Sequence, residues 1–171
     1  VADPDDRPLV LTALLDDDTQ GRLDDLRERH FPPERNHLAA HLTLFHALPG
    51  DAATEVAADV LAAAERVPLP ARVDGLRLLG RGVAYTVACP DLVALRRGLA
   101  SRWAARLSRQ DTGKSDLHVT VQNKVDPAVA RALHDDLAAA FTPWTATVTG
   151  LALWRYAGGP WEPGPRFTFS R

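Results

Sequence analysis

Two short stretches carry the residue types needed for acid–base chemistry. "AHLTLFHAL" spans residues 40–48 and "LHVTVQNKV" spans residues 117–125. Each contains the pattern His–apolar–Thr–apolar, beginning at His41 and at His118. Side chains alternate faces along a strand, so His41, Thr43 and Phe45 are predicted to share one face, as are His118, Thr120 and Gln122. Imidazoles with an ordinary pKa of about 6.5 can hold opposite protonation states near neutrality. In-line attack on a phosphodiester needs one proton removed from the nucleophile and another delivered to the leaving oxygen. The threonine hydroxyls can donate to the non-bridging oxygens, where charge gathers. This set needs neither a metal nor a cofactor, and none is assigned.

The elements that must carry these residues follow from pattern and punctuation. Residues 9–15 ("LVLTALL") and 42–48 read as strands, with a short amphipathic helix at 21–30 between them, stopped by Phe31–Pro33. Asp51 is the predicted cap of an alanine-rich helix over 52–67. Two strands follow at 72–79 and 82–88, then a helix at 92–107, a polar loop, and a strand at 118–125. Asp126 caps a helix that starts at Pro127, proline being favoured at the first helical position. A strand over 145–156, a Gly/Pro turn and a closing strand at 166–169 complete the chain. The order is β-α-β-α-β twice. Landmarks keep a near-constant offset: His41 to His118 is 77 residues (118 − 41), and "VDGL" at 73–76 to "VTGL" at 148–151 is 75 (148 − 73). The expected fold class is therefore α+β, a single domain over 1–171 with lobe-forming repeats at about 9–79 and 82–156. A pseudo-symmetric pair of lobes would face the two His–Thr pairs across a central cleft.

Composition narrows the partners. The net charge is −2 over 171 residues, a poor match for gripping a long duplex, where phosphate contacts supply most non-specific affinity. A small ligand or the end of a chain suits it better. No long uncharged apolar run predicts a membrane helix. The acidic start lacks a leader layout, and the lone Cys89 rules out an internal disulfide. Together these favour the cytoplasm, and nothing in the sequence demands more than a monomer.

Paired His–apolar–Thr–apolar motifs in a duplicated α/β chain of this length resemble the 2H phosphoesterase superfamily. The branch most similar is the LigT-like, or 2′-5′ RNA ligase, family. The resemblance runs from "LVLTALLD" to the terminal "LWRYAGGPWEPGPRFTF". It implies a bilobal fold and opening of a 2′,3′-cyclic phosphate, on a nucleotide or an RNA 3′ end, to a 2′-phosphate. Reverse 2′-5′ ligation is implied as a side activity. By motif, His41 would protonate the leaving 3′ oxygen, His118 would activate water, and Thr43 and Thr120 would hold the phosphate. The chain departs from the family pattern at His46 and at "QNKV", which follows the second motif.

Other residues are weighed against ordinary structural roles. Gln122 and Phe45 share the catalytic faces and are expected to line the cleft. Arg81, Tyr85, Lys114 and Trp161 are candidate substrate contacts, Trp161 because aromatics stack exposed bases. His46 is expected on the face opposite His41, as a packed or hydrogen-bonded residue. His30, His37 and His134 are read as structural or surface. Two further functions stay open: a nucleotide or RNA-end binding module without turnover, and another 2H reaction, such as RNA 3′-end trimming or opening of a cyclic phosphate on an ADP-ribose derivative.

Overall fold

The computed structural model describes residues 6–113 and 116–171. Their elements follow the expected order: β1 (Leu9–Leu15), α1 (Asp17–His30), β2 (Leu42–Leu48), α2 (Ala53–Ala63), β3 (Leu69–Leu79), β4 (Gly82–Ala88), α3 (Pro90–Arg102), β5 (His118–Gln122), α4 (Pro127–Ala139), β6 (Trp144–Tyr156) and β7 (Trp161–Thr168).

The differences are at element ends, and each has a local cause. Helix α1 begins at Asp17 because Asp16 caps it, its Oδ1 accepting from the Thr19 N–H at 2.9 Å. Asp51 does not cap α2; it lies in a 3₁₀ turn, Gly50–Ala52, and Ala52 is the cap residue. Helix α2 stops at Ala63 and β3 starts at Leu69, so Pro70 stands inside a strand. There β3 pairs with β6, and its pairing with β4 begins only at Arg72, which leaves Pro70 one open edge. The closing strand starts at Trp161 rather than 166, pairing Tyr156 with Trp161 and Trp154 with Pro163. Pro163 and Pro165 are tolerated because β7 is an edge strand.

All pairings are antiparallel. The order is β1-β2-β5-β4-β3-β6-β7, and β6 pairs with β1 as well. Six strands thus close into a circuit, with β7 outside it. Long β6 makes this possible: Trp144–Val148 pairs with β3, and Val148–Arg155 pairs with β1. Exchanging β1 with β4, β2 with β5 and β3 with β6 returns the same six pairings of the circuit. The two motif strands meet at a single register pair, Leu42 with Val119.

Leu42, Leu44, Val119 and Val121 are fully buried in the core beneath these strands. Each such side chain contributes roughly 1.5–3 kcal/mol on burial. A one-residue slip would expose all four, so the register is locked, and the histidines and threonines are locked onto the opposite face. No helix of the described residues is long and apolar enough to cross a membrane.

Candidate active site

The two motif strands share a local irregularity. Thr43 lies opposite Thr12, but the next partner of β1 is Phe45, opposite Leu11; Leu44 is an extra residue. Thr120 lies opposite Ala84, and the next pair is Gln122 with Val83; Val121 is extra. A β-bulge therefore follows the threonine of each motif and reverses the alternation beyond it.

That reversal corrects three expectations. Phe45 does not face the site: it is fully buried and packs edge-on against Trp103, with ring centroids 5.2 Å apart. Gln122 turns to the buried side, and its Oε1 finds no partner among the described residues. His46 swings from the expected back face into the cavity with His41. The adjacent pair Leu44–Phe45 was the available signal, since two successive apolar residues break a strict alternation.

A bulge leaves backbone groups out of the ladder, and a buried carbonyl needs a donor. Here both donors are buried arginines reaching from helices. Arg96 on α3 donates from Nε to the Leu44 carbonyl at 2.9 Å. Arg27 on α1 donates from Nη1 to the Thr120 carbonyl at 3.0 Å, and from Nε to Asn36 Oδ1 at 2.8 Å. Each guanidinium also lies over an aromatic ring, Arg96 on Phe45 at 4.5 Å and Arg27 on Phe31 at 4.1 Å.

The imidazoles are anchored alike. His41 Nδ1 lies 2.8 Å from the Ala39 carbonyl, and His118 Nδ1 lies 2.7 Å from the Asp116 carbonyl. A carbonyl only accepts, so Nδ1 carries the proton in both rings. In the neutral ring Nε2 then holds the lone pair. Both rings, with Thr43 and Thr120, line one cavity of about 320 Å³. That volume is at the lower end for a small-molecule site and suits one nucleotide or the end of a chain.

The surrounding walls differ in chemistry. Beside His41, the Trp161 ring lies 4.6 Å away, centroid to centroid, and Trp154 stands behind Trp161 at 6.0 Å. Trp154 Nε1 donates to Thr12 at 3.0 Å, next to Thr43. On the other side, Thr120, Ala84 and Arg77 lie in one row across β5, β4 and β3. Arg77 lines the cavity and pairs loosely with Asp116 at 3.4 Å. Burial pulls the His41 pKa down to about 4, against the raising effect of the Ala39 carbonyl; the charges of Arg27, His46 and His118 push the same way as burial. Free His41 is therefore neutral at pH 7, the state of a base.

Of the ten residues singled out from the sequence, His41, Thr43, His118, Thr120 and Trp161 meet in this cavity. Arg81 does not; it is exposed and donates to the Val125 carbonyl at 3.1 Å. Tyr85 is buried on the core face, against Phe141 and Trp144. Lys114 lies outside the described residues. Sequence reasoning missed His46, Arg77 and Arg96, which join the site through the bulge, the cross-sheet register and a helix packed beneath. Among the described residues, no three His, Cys, Asp or Glu side chains cluster so as to hold a metal ion.

The sequence profile of the 2′-5′ RNA ligase superfamily matches residues 15–160. The chain belongs to that superfamily. Solved structures bear out its LigT-like, 2H phosphoesterase fold. TT0787 of Thermus thermophilus superposes with a TM-score of 0.65 at 18% identity, covering 95% of this chain and 97% of that one. E. coli LigT complexed with 3′-AMP gives 0.64 at 23%, covering 96% and 99%. A structure described as a phosphoesterase gives 0.62 at 22%, also covering 96% and 99%. Other similar structures are of E. coli LigT with NADP+ and with ATP. No curated protein matches this 2′-5′ RNA ligase superfamily member in sequence.

Proposed function

We propose that the protein opens a 2′,3′-cyclic phosphate, on a nucleotide or at an RNA 3′ end, to a 2′-phosphate without a metal. One observation carries this reading. Both imidazoles are fixed through Nδ1 to a carbonyl two residues back, leaving both Nε2 atoms for a cavity that also holds both threonines. His41, neutral in the free protein, takes the proton from water as its oxygen attacks phosphorus. The P–O3′ bond breaks, and His118, entering the step as the imidazolium with Nδ1–H kept on the Asp116 carbonyl, gives its Nε2 proton to the leaving 3′ oxygen. This exchanges the roles that motif order implied, because burial depresses the His41 pKa. Thr43 and Thr120 donate to the non-bridging oxygens, and Trp161 stacks the base beside His41. With a 5′ hydroxyl in place of water as the nucleophile, the same groups open the cyclic phosphate into a 2′-5′ linkage, the 3′ oxygen again leaving; run backwards, the hydrolysis recloses the ring with loss of water.

The two halves of the chain are, on this reading, a duplicated β-α-β-α-β unit around a central cleft. The exchange symmetry of the strand pairings supports it, as do the bulge after each threonine and the buried arginine at each bulge.

The test is metal-free incubation with 2′,3′-cyclic nucleotides and a short RNA ending in a 2′,3′-cyclic phosphate, followed by phosphorus NMR. A 2′-phosphate product is expected, absent from His41→Ala and His118→Ala. No product from folded protein, or full turnover in either variant, overturns the reading.

A further inference from the structure

His46 is the one imidazole of the cavity that the reaction above does not use. Its ring is half open, with 47% of the side chain exposed, but its partner carboxylate, on Asp111, is 0% exposed. Asp111 Oδ1 accepts from the His46 N–H at 2.8 Å and faces its Nδ1 at 3.3 Å; Oδ2 accepts from the Ala47 N–H at 2.9 Å. Burial alone would push this carboxyl's pKa up, but those hydrogen bonds hold it below the usual value, so it stays ionised. Arg96 ties the assembly together. Its Nη2 donates to the Asp111 carbonyl at 2.8 Å, and its Nε holds the Leu44 carbonyl in the bulge that aims His46. An ionised carboxylate against Nδ1 orients the ring and leaves Nε2 toward the open cavity.

A buried carboxylate held by two backbone N–H groups and facing one imidazole is a costly way to position a surface histidine that does nothing. The same cavity also holds Arg77, 44% exposed and only loosely engaged by Asp116. Two imidazoles and two hydroxyls suffice for one reacting phosphate. With both ring nitrogens protonated, Nδ1–H against the ionised Asp111 and Nε2–H toward the cavity, the third imidazole is a donor, and with the guanidinium it makes a second donor set of the kind that binds phosphate oxygens.

We propose that His46, positioned by Asp111, and Arg77 bind a second phosphate of the substrate, one that does not react. The proposal rests on the phosphodiester reading above and narrows it. The preferred ligand carries two phosphates, the second being either a terminal 5′ monoester or the next internucleotide linkage.

The test reads binding rather than turnover. Calorimetry compares adenosine 3′-monophosphate with adenosine 3′,5′-bisphosphate and with the dinucleotide ApAp. The wild-type protein is expected to bind one of the two larger probes roughly tenfold more tightly than the monophosphate, the low end for a charged hydrogen bond. The bisphosphate winning points to a terminal phosphate, and ApAp to an internucleotide one. In His46→Gln and His46→Phe the ratio should fall to about one, while Arg81→Ala, away from the cavity, should keep it. Circular dichroism confirms folding of each. Equal affinity for all three probes in the wild type, or an unchanged ratio in both His46 variants, overturns the proposal. A preserved ratio with no turnover of any cyclic phosphate overturns the phosphodiester reading instead.

Discussion

Replacing Trp161 by alanine should change the acid stability of the whole chain through one imidazole. The indole covers His41 at 4.6 Å, and burial is the main reason the His41 pKa lies at about 4 rather than the ordinary 6.5. The unfolded chain therefore binds more protons than the folded one between those values. Stability is fully present above pH 6.5 and is lost as pH falls toward 4. At 1.36 kcal/mol per pKa unit, the gap corresponds to up to about 3 kcal/mol, a large part of a typical 5–15 kcal/mol total. Trp161→Ala lets water reach the ring, so the His41 pKa should rise by a unit or more. The acid-induced loss should then shrink by about 1.4 kcal/mol. Two measurements check this: NMR titration of the His41 Cε1–H signal, and urea unfolding at pH 7 and pH 4.5 for both proteins. Comparing slopes with pH removes whatever packing the substitution costs at every pH. An unchanged His41 pKa in Trp161→Ala, or a wild-type value near 6.5, would refute the assignment of burial as the cause.

Other perturbations separate the layers of the site. Arg27→Met leaves the Thr120 carbonyl without its donor and removes two charged hydrogen bonds; a loss of about 2–4 kcal/mol is expected in denaturant melts. The same variant should raise the His41 pKa, since the Arg27 charge lowers it. Phe45→Ala, at a fully buried position, should cost about 3–5 kcal/mol in thermal or urea unfolding. Thr43→Val and Thr120→Val should each cut kcat on a cyclic nucleotide by roughly 10²-fold, the scale for losing one donor to developing charge. A chelator should leave the wild-type rate unchanged.

The element order was legible because most elements carried their own signal: aliphatic strands, the amphipathic pattern of α1, and proline at the first turn of α4, although the Asp16 cap that starts α1 four residues earlier was not read. The His–Thr faces were legible from period-two alternation. That rule carried no further than each threonine, because a bulge is a property of two paired strands. Phe45, Gln122 and His46 were misplaced for that single reason. Arg77 was beyond reach of any local pattern, since its place depends on three strands in register. Trp161 was found by composition, but its strand was hidden by prolines that an edge tolerates.

The braces run crosswise. Arg27 belongs to the first half of the chain and holds the motif strand of the second, while Arg96 belongs to the second and holds the motif strand of the first. Between these strands there is only one register pair. The spacing of the two imidazoles is thus set by helices clasping opposite sides of a narrow seam, rather than by a continuous ladder. Cut at the β3–β4 turn, either half alone would present one motif histidine, one motif threonine and a bulge carbonyl without its arginine. The proposed reactive pair is a property of the join, and whatever tightens or loosens that join would act on both of its proton transfers at once.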